Sequence, residues 1–360
     1  MKELLDRAMS QPYQLSQEER VMLLGLEDPS ELFKAAYAVK LRHIGKKVSL
    51  RGLIELGNLC SKDCFYCGIR KSNLEVKRYR LLIEDVLRMA QWSFDHGYGS
   101  VVLQSGELES EENTAFIEQI LQQLHARFGE KLGITLCLGE QTEAVYRRWY
   151  AAGAHRYLLR LETSSPELYA SLHPADHLFD RRKACIQTLK RIGYQTGSGV
   201  MIGLPGQTLD DLARDIECFH ELDLDMIGMG PYLPHHGTPL GKDVTLSQEE
   251  SEKLLKLGLK MIAVTRLYLH DVNIASTTAL QALADNGREQ GLLAGANVIM
   301  PNVTDTEYRK HYQLYENKPC MDENSTQCRS CLHGRVLSVG EDIRWGERGD
   351  SPHFSNMSID

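Results

Sequence analysis

The chain has 360 residues, with 41 Lys and Arg against 49 Asp and Glu, a formal net charge of −8. Hydrophobic residues make up 42% and charged residues 25%, the balance of a globular chain rather than a disordered or fibrous one. Net acidity suits neither nucleic acid nor an anionic membrane surface, both of which require a clustered cationic field.

Residues 1–47 read as helices, with apolar positions at Leu4, Leu5 and Met9, then Val21, Leu23 and Leu24, then Leu32, Ala35, Ala36 and Val39. Ser16 followed by Glu19 has the form of a capping box. The segment is expected to act as a lid or base for the main unit. Its start, Met1-Lys2-Glu3-Leu4-Leu5-Asp6-Arg7, lacks the apolar core and cleavage site of an export signal. No run in the chain approaches the roughly 18 apolar residues of a membrane span, so the expectation is a cytoplasmic protein.

From residue 48, short apolar runs alternate with amphipathic helices, the pattern of βα units around a parallel sheet. Strands are expected at 48–56, 100–104, 133–138, 157–161, 196–202, 225–229, 271–275 and 297–300. Two helix starts between them are explicit. Ser165-Pro166-Glu167 places Pro in a first turn, and Thr208 precedes Leu209, Leu212, Ile216, Phe219 and Leu222 at helical spacing. Eight such units over about 250 residues match an α/β (βα)8 TIM-type barrel, and no Pro/Gly/Ser-rich linker divides them. The expected organisation is a helical segment 1–47, a barrel 48–302 and a mostly irregular C-terminal extension 303–360.

Nine cysteines, an odd number, make a poor disulfide framework. Cys137, Cys185 and Cys218 stand alone and read as core. Cys60-x3-Cys64-x2-Cys67 sets three thiolates on one loop. They suffice for three corners of a [4Fe–4S] cube that normally takes four, leaving one iron to a small molecule. Structural zinc would need four closed ligands, and the nearest additions, His43 and the distant group Cys320, Cys328 and Cys331, are remote in sequence.

Barrel enzymes carry their reactive groups at the C-terminal ends of the strands. There stand the cysteine loop, Gln104-Ser105-Gly106-Glu107, Thr135 with Glu140, Arg160-Leu161-Glu162-Thr163, Thr277-Thr278 and Met300-Pro301. Arg160 and Glu162 are two apart and face one way along an extended chain. The pair either closes the barrel top or receives a zwitterionic ligand, and the convergence of polar strand ends favours the ligand. Gly197 and Gly199 point to close approach of a ligand or another backbone. The adjacent His235 and His236 read as loop residues, because neighbours do not easily aim at one ion. Neither a Walker loop nor a dinucleotide fingerprint is present.

The cysteine loop, with Tyr66 before its last Cys, resembles the signature of radical S-adenosylmethionine (SAM) enzymes. Longer stretches resemble the [FeFe]-hydrogenase maturation enzymes of the HydE type. They include Arg51-Gly52-Leu53-Ile54-Glu55, Tyr66-Cys67-Gly68-Ile69-Arg70, Val102-Leu103-Gln104-Ser105-Gly106-Glu107 and Gly295-Ala296-Asn297-Val298-Ile299-Met300-Pro301-Asn302.

The resemblance implies that Cys60, Cys64 and Cys67 hold a [4Fe–4S] cluster whose open iron is chelated by SAM. One electron then yields a 5′-deoxyadenosyl radical. It implies Tyr66, Ser105, Glu107, Glu162 and Arg182 around SAM, and a substrate chamber lined by Arg51, Thr135, Arg160, Thr277, Thr278, Met300 and Tyr308. The implied substrate is a cysteine-bound iron carrying CO and cyanide, whose sulfur the radical attacks on the way to a dithiolate-bridged diiron unit. The implied partners are the tyrosine-cleaving radical SAM maturase, the scaffold GTPase and a reductant protein. Cys320, Cys328 and Cys331 match an accessory cluster site found in part of the family, expected to be dispensable for the chemistry. Methylornithine synthase and biotin synthase share the scaffold and are the alternatives, although the second cluster of biotin synthase would find only Cys137 on a strand. A non-catalytic iron–sulfur carrier is a different class and would have no use for a polar chamber.

Overall fold

In the computed structural model, which describes residues 1–357, the expected runs form eight strands. They are β1 (Lys47–Gly57), β2 (Ser100–Ser105), β3 (Gly133–Cys137), β4 (Arg156–Leu158), β5 (Gln195–Ser198), β6 (Met226–Ile227), β7 (Asn273–Ile274) and β8 (Val298–Ile299). All pair in parallel, in the order β8-β1-β2-β3-β4-β5-β6-β7. The sheet curls until its two edge strands meet. Asn297 N–H donates to the Ile274 carbonyl at 2.9 Å and Ser276 N–H to the Val298 carbonyl at 2.8 Å, beside a parallel bridge between Ala275 and Val298. The apolar face of this α/β sheet and the helices outside it share one core. No helix among the described residues is long and apolar enough to cross a membrane.

Two strands end earlier than their sequences suggest. β4 stops at Leu158 because the Leu161 N–H finds the Ser198 hydroxyl, at 3.1 Å, rather than a backbone carbonyl. The chain then turns outward through Glu162 at φ +71°. The expected strand 196–202 breaks after Ser198, and Met201–Ile202 pairs separately with Gly230–Pro231. Gly199 makes the junction possible, since a Cβ there would lie 2.2 Å from the Gly228 carbonyl oxygen. The close approach anticipated at Gly199 is therefore to a neighbouring backbone.

The N-terminal helices α1 (Lys2–Ser10), α2 (Gln17–Gly25) and α3 (Ser30–His43) form neither lid nor base. Ser16 and Glu19 do close a capping box at the start of α2. Around the sheet follow α4 (Ile83–Asp95), α5 (Glu111–Phe128), α6 (Glu143–Ala151), α7 (Pro166–Leu172), α8 (Phe179–Ile192), α9 (Leu209–Glu221) and α10 (Gln248–Leu269). Beyond them come α11 (Thr278–Leu283), α12 (Gly287–Leu293) and α13 (Thr306–Arg309). The N-terminal helices pack on the outer flank of α9 and α10, where buried Arg20 pairs with Glu217 at 2.6 Å.

The C-terminal extension is irregular over much of its length, as expected, but it is ordered. It carries α14 (Ser325–Ser338), opened by an Asn324–Gln327 capping box, then Asp342–Ile343 paired to the start of β1, then α15 (Pro352–Met357). Between these last two elements the chain plugs the N-terminal mouth of the sheet. Ser100 Oγ donates to the Arg348 carbonyl at 2.9 Å, Asn273 Nδ2 to the Gly349 carbonyl at 3.0 Å and Gln195 Nε2 to the Asp350 carboxylate at 2.8 Å. Arg156, only 2% exposed, is ion-paired with Asp350. The stretch is irregular, as its composition suggested, and buried strand ends supply the partners that hold it in place.

His353 latches the plug, bonding Asp223 at 2.8 Å and Asp271 at 3.2 Å. Asp223, then Asp271, hold its imidazolium up to about 9 against the opposing effect of burial. A raised histidine stabilises fully below its ordinary value of 6.5 and loses that contribution as pH rises through about 9. The latch is therefore expected to contribute up to about 3 kcal/mol at acid pH. The stability gap between wild type and His353→Gln in urea unfolding should shrink from about pH 6 to about pH 10.

Candidate active site

The loop after β1 carries Cys60, Cys64 and Cys67 at the C-terminal edge of the sheet. Backbone bonds fix it from four sides: Ser61 N–H to the Glu107 carbonyl at 2.8 Å, Phe65 N–H to Leu172 at 2.9 Å, Gly68 N–H to Leu314 at 2.9 Å, and Leu240 N–H to the Phe65 carbonyl at 3.0 Å. Arg78 gathers the loop from beneath, donating to the carbonyls of Asn58 (2.6 Å), Ile69 (2.8 Å), Arg70 (2.6 Å) and Asn73 (3.0 Å). Two glycines let other segments approach. A Cβ on Gly106 would lie 2.2 Å from the Leu59 carbonyl oxygen and 2.7 Å from Cys60 Cβ, and one on Gly68 would lie 2.2 Å from the Gln313 carbonyl oxygen.

Burial pushes the Cys64 thiol up to about 12 and raises Cys60 and Cys67 as well. Left to themselves these thiols stay protonated; a metal replaces the protons and reverses that preference. Three cysteines on one braced loop, Cys64 buried and Cys60 and Cys67 partly so, fit a thiolate-bound iron–sulfur cluster. Among the described residues, His173 and His177 each bring a ring nitrogen within 4.8 Å of Cys64 Sγ, His177 Nδ1 at 3.9 Å.

Around the loop stand the charged groups. Glu162 faces Arg160 at 3.1 Å. Glu107 takes Lys62 at 3.1 Å and Arg182 at 3.5 Å, and Arg182 also meets Glu140 at 3.2 Å. Burial works against the Arg182 charge, but Glu107 and Glu140 prevail and hold its proton more tightly than usual. The Lys62 and Arg160 contacts fall on the buried oxygens of Glu107 and Glu162 as ion pairs. Ser105 Oγ donates to the Gly106 carbonyl at 2.6 Å. The Tyr66 hydroxyl meets His173 Nε2 at 3.3 Å, while His173 Nδ1 donates to the Tyr169 carbonyl at 2.8 Å.

The residues expected to line a substrate chamber separate into levels. Arg51 reaches across the curled sheet from β1 to the Met226 sulfur on β6 and donates to the Gly349 carbonyl of the plug at 3.2 Å. With Thr135 it lines a small cavity at the N-terminal end. Arg160, Thr277 and Thr278 lie at the opposite end, and Met300 packs between the levels against Met226, Ala275 and Val298. Tyr308 joins neither level. It sits on α13 with its ring 5.1 Å from that of Tyr79, because the chain enters the sheet's mouth only after α13. Tyr315 enters instead, its hydroxyl 2.8 Å from Thr278 Oγ1, and Tyr312 receives a bond from Gln104 at 3.2 Å. Lys318 follows and pairs with Glu55, which is fully buried on β1.

Two cysteine expectations change. Cys185 and Cys218 are core, but Cys137 at the end of β3 is partly accessible and lies in the field of Arg160 and Glu162. Cys320, Glu323 and Cys328 place ligand atoms within 4.8 Å of one another, whereas Cys331 is exposed and meets Arg335. His235, His236 and Glu316 also bring ligand atoms within 4.8 Å. Yet His235 Nδ1 accepts the Gly237 N–H at 3.0 Å and its ring lies against Gly68, so the pair braces its loop. His173, His177, Lys62 and Arg78 carried no signal in the sequence, since their partners are distant along the chain.

A curled parallel sheet bearing three cysteines on the loop after its first strand defines a radical SAM protein, and the family model described as the Radical SAM superfamily matches residues 54–219. The [FeFe] hydrogenase maturase subunit HydE of Thermotoga maritima is 42% identical over 321 residues, 88% of each chain. The chain belongs to this HydE family of radical SAM enzymes, a membership that implies a [4Fe–4S] cluster and SAM. Two solved structures share the fold. Methylornithine synthase (PylB) superposes with TM-score 0.79 at 24% identity, over 95% of this chain and 98% of that one. The FeFe-hydrogenase maturase HydG of Carboxydothermus hydrogenoformans gives 0.77 at 21% identity, over 94% and 78%.

Gly106→Ala should displace the cysteine loop, because the clash is with backbone and with Cys60 itself. Anaerobic reconstitution is expected to load clearly less iron and sulfide than wild type. Gly334→Ala, at a helical position with nothing within 4 Å, should load normally.

Proposed function

We propose that the chain reductively cleaves SAM at a [4Fe–4S] cluster held by Cys60, Cys64 and Cys67. It acts on a small cysteine-bound iron carrying CO and cyanide during assembly of the diiron subsite of [FeFe] hydrogenase. One observation carries the reading: a three-cysteine loop is ringed by charge pairs, Glu162 with Arg160 and Glu107 with Lys62 and Arg182, the charge complement of a zwitterion. When bound, the cluster supplies the electron that splits SAM into methionine and a 5′-deoxyadenosyl radical.

The chain's own residues do the rest. Glu162, paired with Arg160, offers its carboxylate to the SAM ammonium from a backbone held at positive φ, a strained conformation of the kind that concentrates at functional sites. Arg182 faces the SAM carboxylate, its charge secured by Glu107 and Glu140. Tyr66, steadied by His173, borders the adenine, and Ser105 completes the pocket. We read the sheet as a closed (βα)8 barrel, supported by the bonds joining β7 to β8. Closure keeps a radical from water. Arg160, Thr277, Thr278 and Met300 line the substrate chamber, Arg51 and Thr135 lie at its far end, and Tyr315 stands where Tyr308 was expected. The substrate arrives from the tyrosine-cleaving maturase, the product goes to the scaffold GTPase and electrons come from a reductant protein, all in the cytoplasm. Cys320 and Cys328 anchor an accessory cluster site in the C-terminal extension, to which Cys331 would have to turn inward.

Reconstituted protein with dithionite is expected to convert SAM to methionine and 5′-deoxyadenosine, and Cys64→Ser to do so no faster than buffer. Equal rates for the two would remove the enzyme reading; methylornithine formed from lysine would replace the substrate. With the cyanide- and carbonyl-bearing iron–cysteine complex, Tyr315→Phe should lower kcat/KM by about tenfold, the worth of one buried hydrogen bond. Tyr308→Phe should leave it unchanged.

A further inference from the structure

The loop joining α7 to α8, residues 173–178, lies against the cysteine loop although it comes more than a hundred positions later in the chain. Two histidines of this loop come near Cys64, whose sulfur lies with their ring nitrogens inside a group spanning 4.8 Å. Their hydrogen bonds tell them apart. His173 has both nitrogens engaged: Nδ1 donates to the Tyr169 carbonyl at 2.8 Å, so Nε2 is the acceptor for the Tyr66 hydroxyl at 3.3 Å. It is also stacked on Tyr169, ring centroids 4.0 Å apart. His177 is different. Its Nδ1 points to Cys64 Sγ at 3.9 Å, and its other nitrogen has only Asp176, 3.9 Å away and largely exposed. The side chain itself is 6% exposed. Its backbone is held by a turn in which His177 N–H donates to the Pro174 carbonyl at 2.9 Å, so the ring is presented rather than free to leave.

A thiolate on iron has lone pairs and no proton, so the neighbouring ring nitrogen must be the donor. Hydrogen bonds to cluster sulfurs are among the levers that set the potential of an iron–sulfur centre, because they favour the more negative, reduced state. We propose that His177 donates a hydrogen bond from Nδ1 to the Cys64 thiolate and so raises the reduction potential of the cluster on Cys60, Cys64 and Cys67. The proposal rests on the reading of that loop given above. His177 is a positioning residue here: it acts through Cys64 and not on SAM or substrate.

The test compares wild type, His177→Leu and His177→Asn, each reconstituted as the full chain, with iron and sulfide counted and the midpoint potential read by electron-spin resonance without SAM. Equal loading is expected, with the Leu variant shifted to more negative potential. The Asn variant, whose amide keeps an N–H near the Nδ1 position, should lie close to wild type. One potential for all three would overturn the inference while leaving the cluster reading intact; failure of wild type itself to assemble a cluster would instead overturn the cluster reading. Where the Leu variant loads poorly, wild type grown with 15N-histidine decides. A weak nitrogen coupling on the reduced cluster supports the hydrogen bond. No coupling, or one strong enough for a nitrogen bonded to iron, overturns it.

Discussion

Charge buried inside the curled sheet must be answered from within the protein. Glu55 and Arg156 project from strands where water does not reach them, and each is neutralised by a residue from the last fifty positions of the chain: Lys318 for Glu55 and Asp350 for Arg156. Lys40 on α3, fully buried, is matched in the same way by Glu341. A buried charge deprived of its partner costs several kcal/mol, so these pairs make the C-terminal extension part of the sheet's stability. The extension bonds at both mouths, with residues 311–318 over the C-terminal edge and 347–351 under the N-terminal edge.

The groups left unsatisfied are then informative. Most interior charges are matched within the chain, Glu107 by Lys62 and Glu162 by Arg160 among them, yet the Thr135 and Thr277 hydroxyls have no partner. Buried polar atoms without partners are uncommon and demand an explanation. Here they stand inside the curled sheet, so the same packing that seals it leaves polar contacts open within it.

What the sequence revealed followed the range of the interactions involved. Cys60, Cys64 and Cys67 were legible because their grouping is local, within eight residues. β1 and β2 were legible because their apolar runs are long enough to set the period. β4 and β5 were overextended because their ends depend on a serine hydroxyl and on a glycine's contact with the next strand, neither of which has a local signature. Tyr308, Tyr312 and Tyr315 share a helical spacing, but the helix stops at Arg309, and only the later turn carries a ring inward. The ordered tail was missed for a related reason. Its Gly, Arg and Asp residues look unstructured until strand ends more than 150 positions earlier supply their hydrogen bonds. His177 lies 113 positions from Cys64, and nothing near it in the chain announces the contact.

Both stoppers follow the last strand of the sheet, and the partners they close onto lie as far back as Glu55 and Ser100. Each mouth is therefore sealed by pairings of very long sequence separation, the kind whose loop-closure cost makes them slow to form.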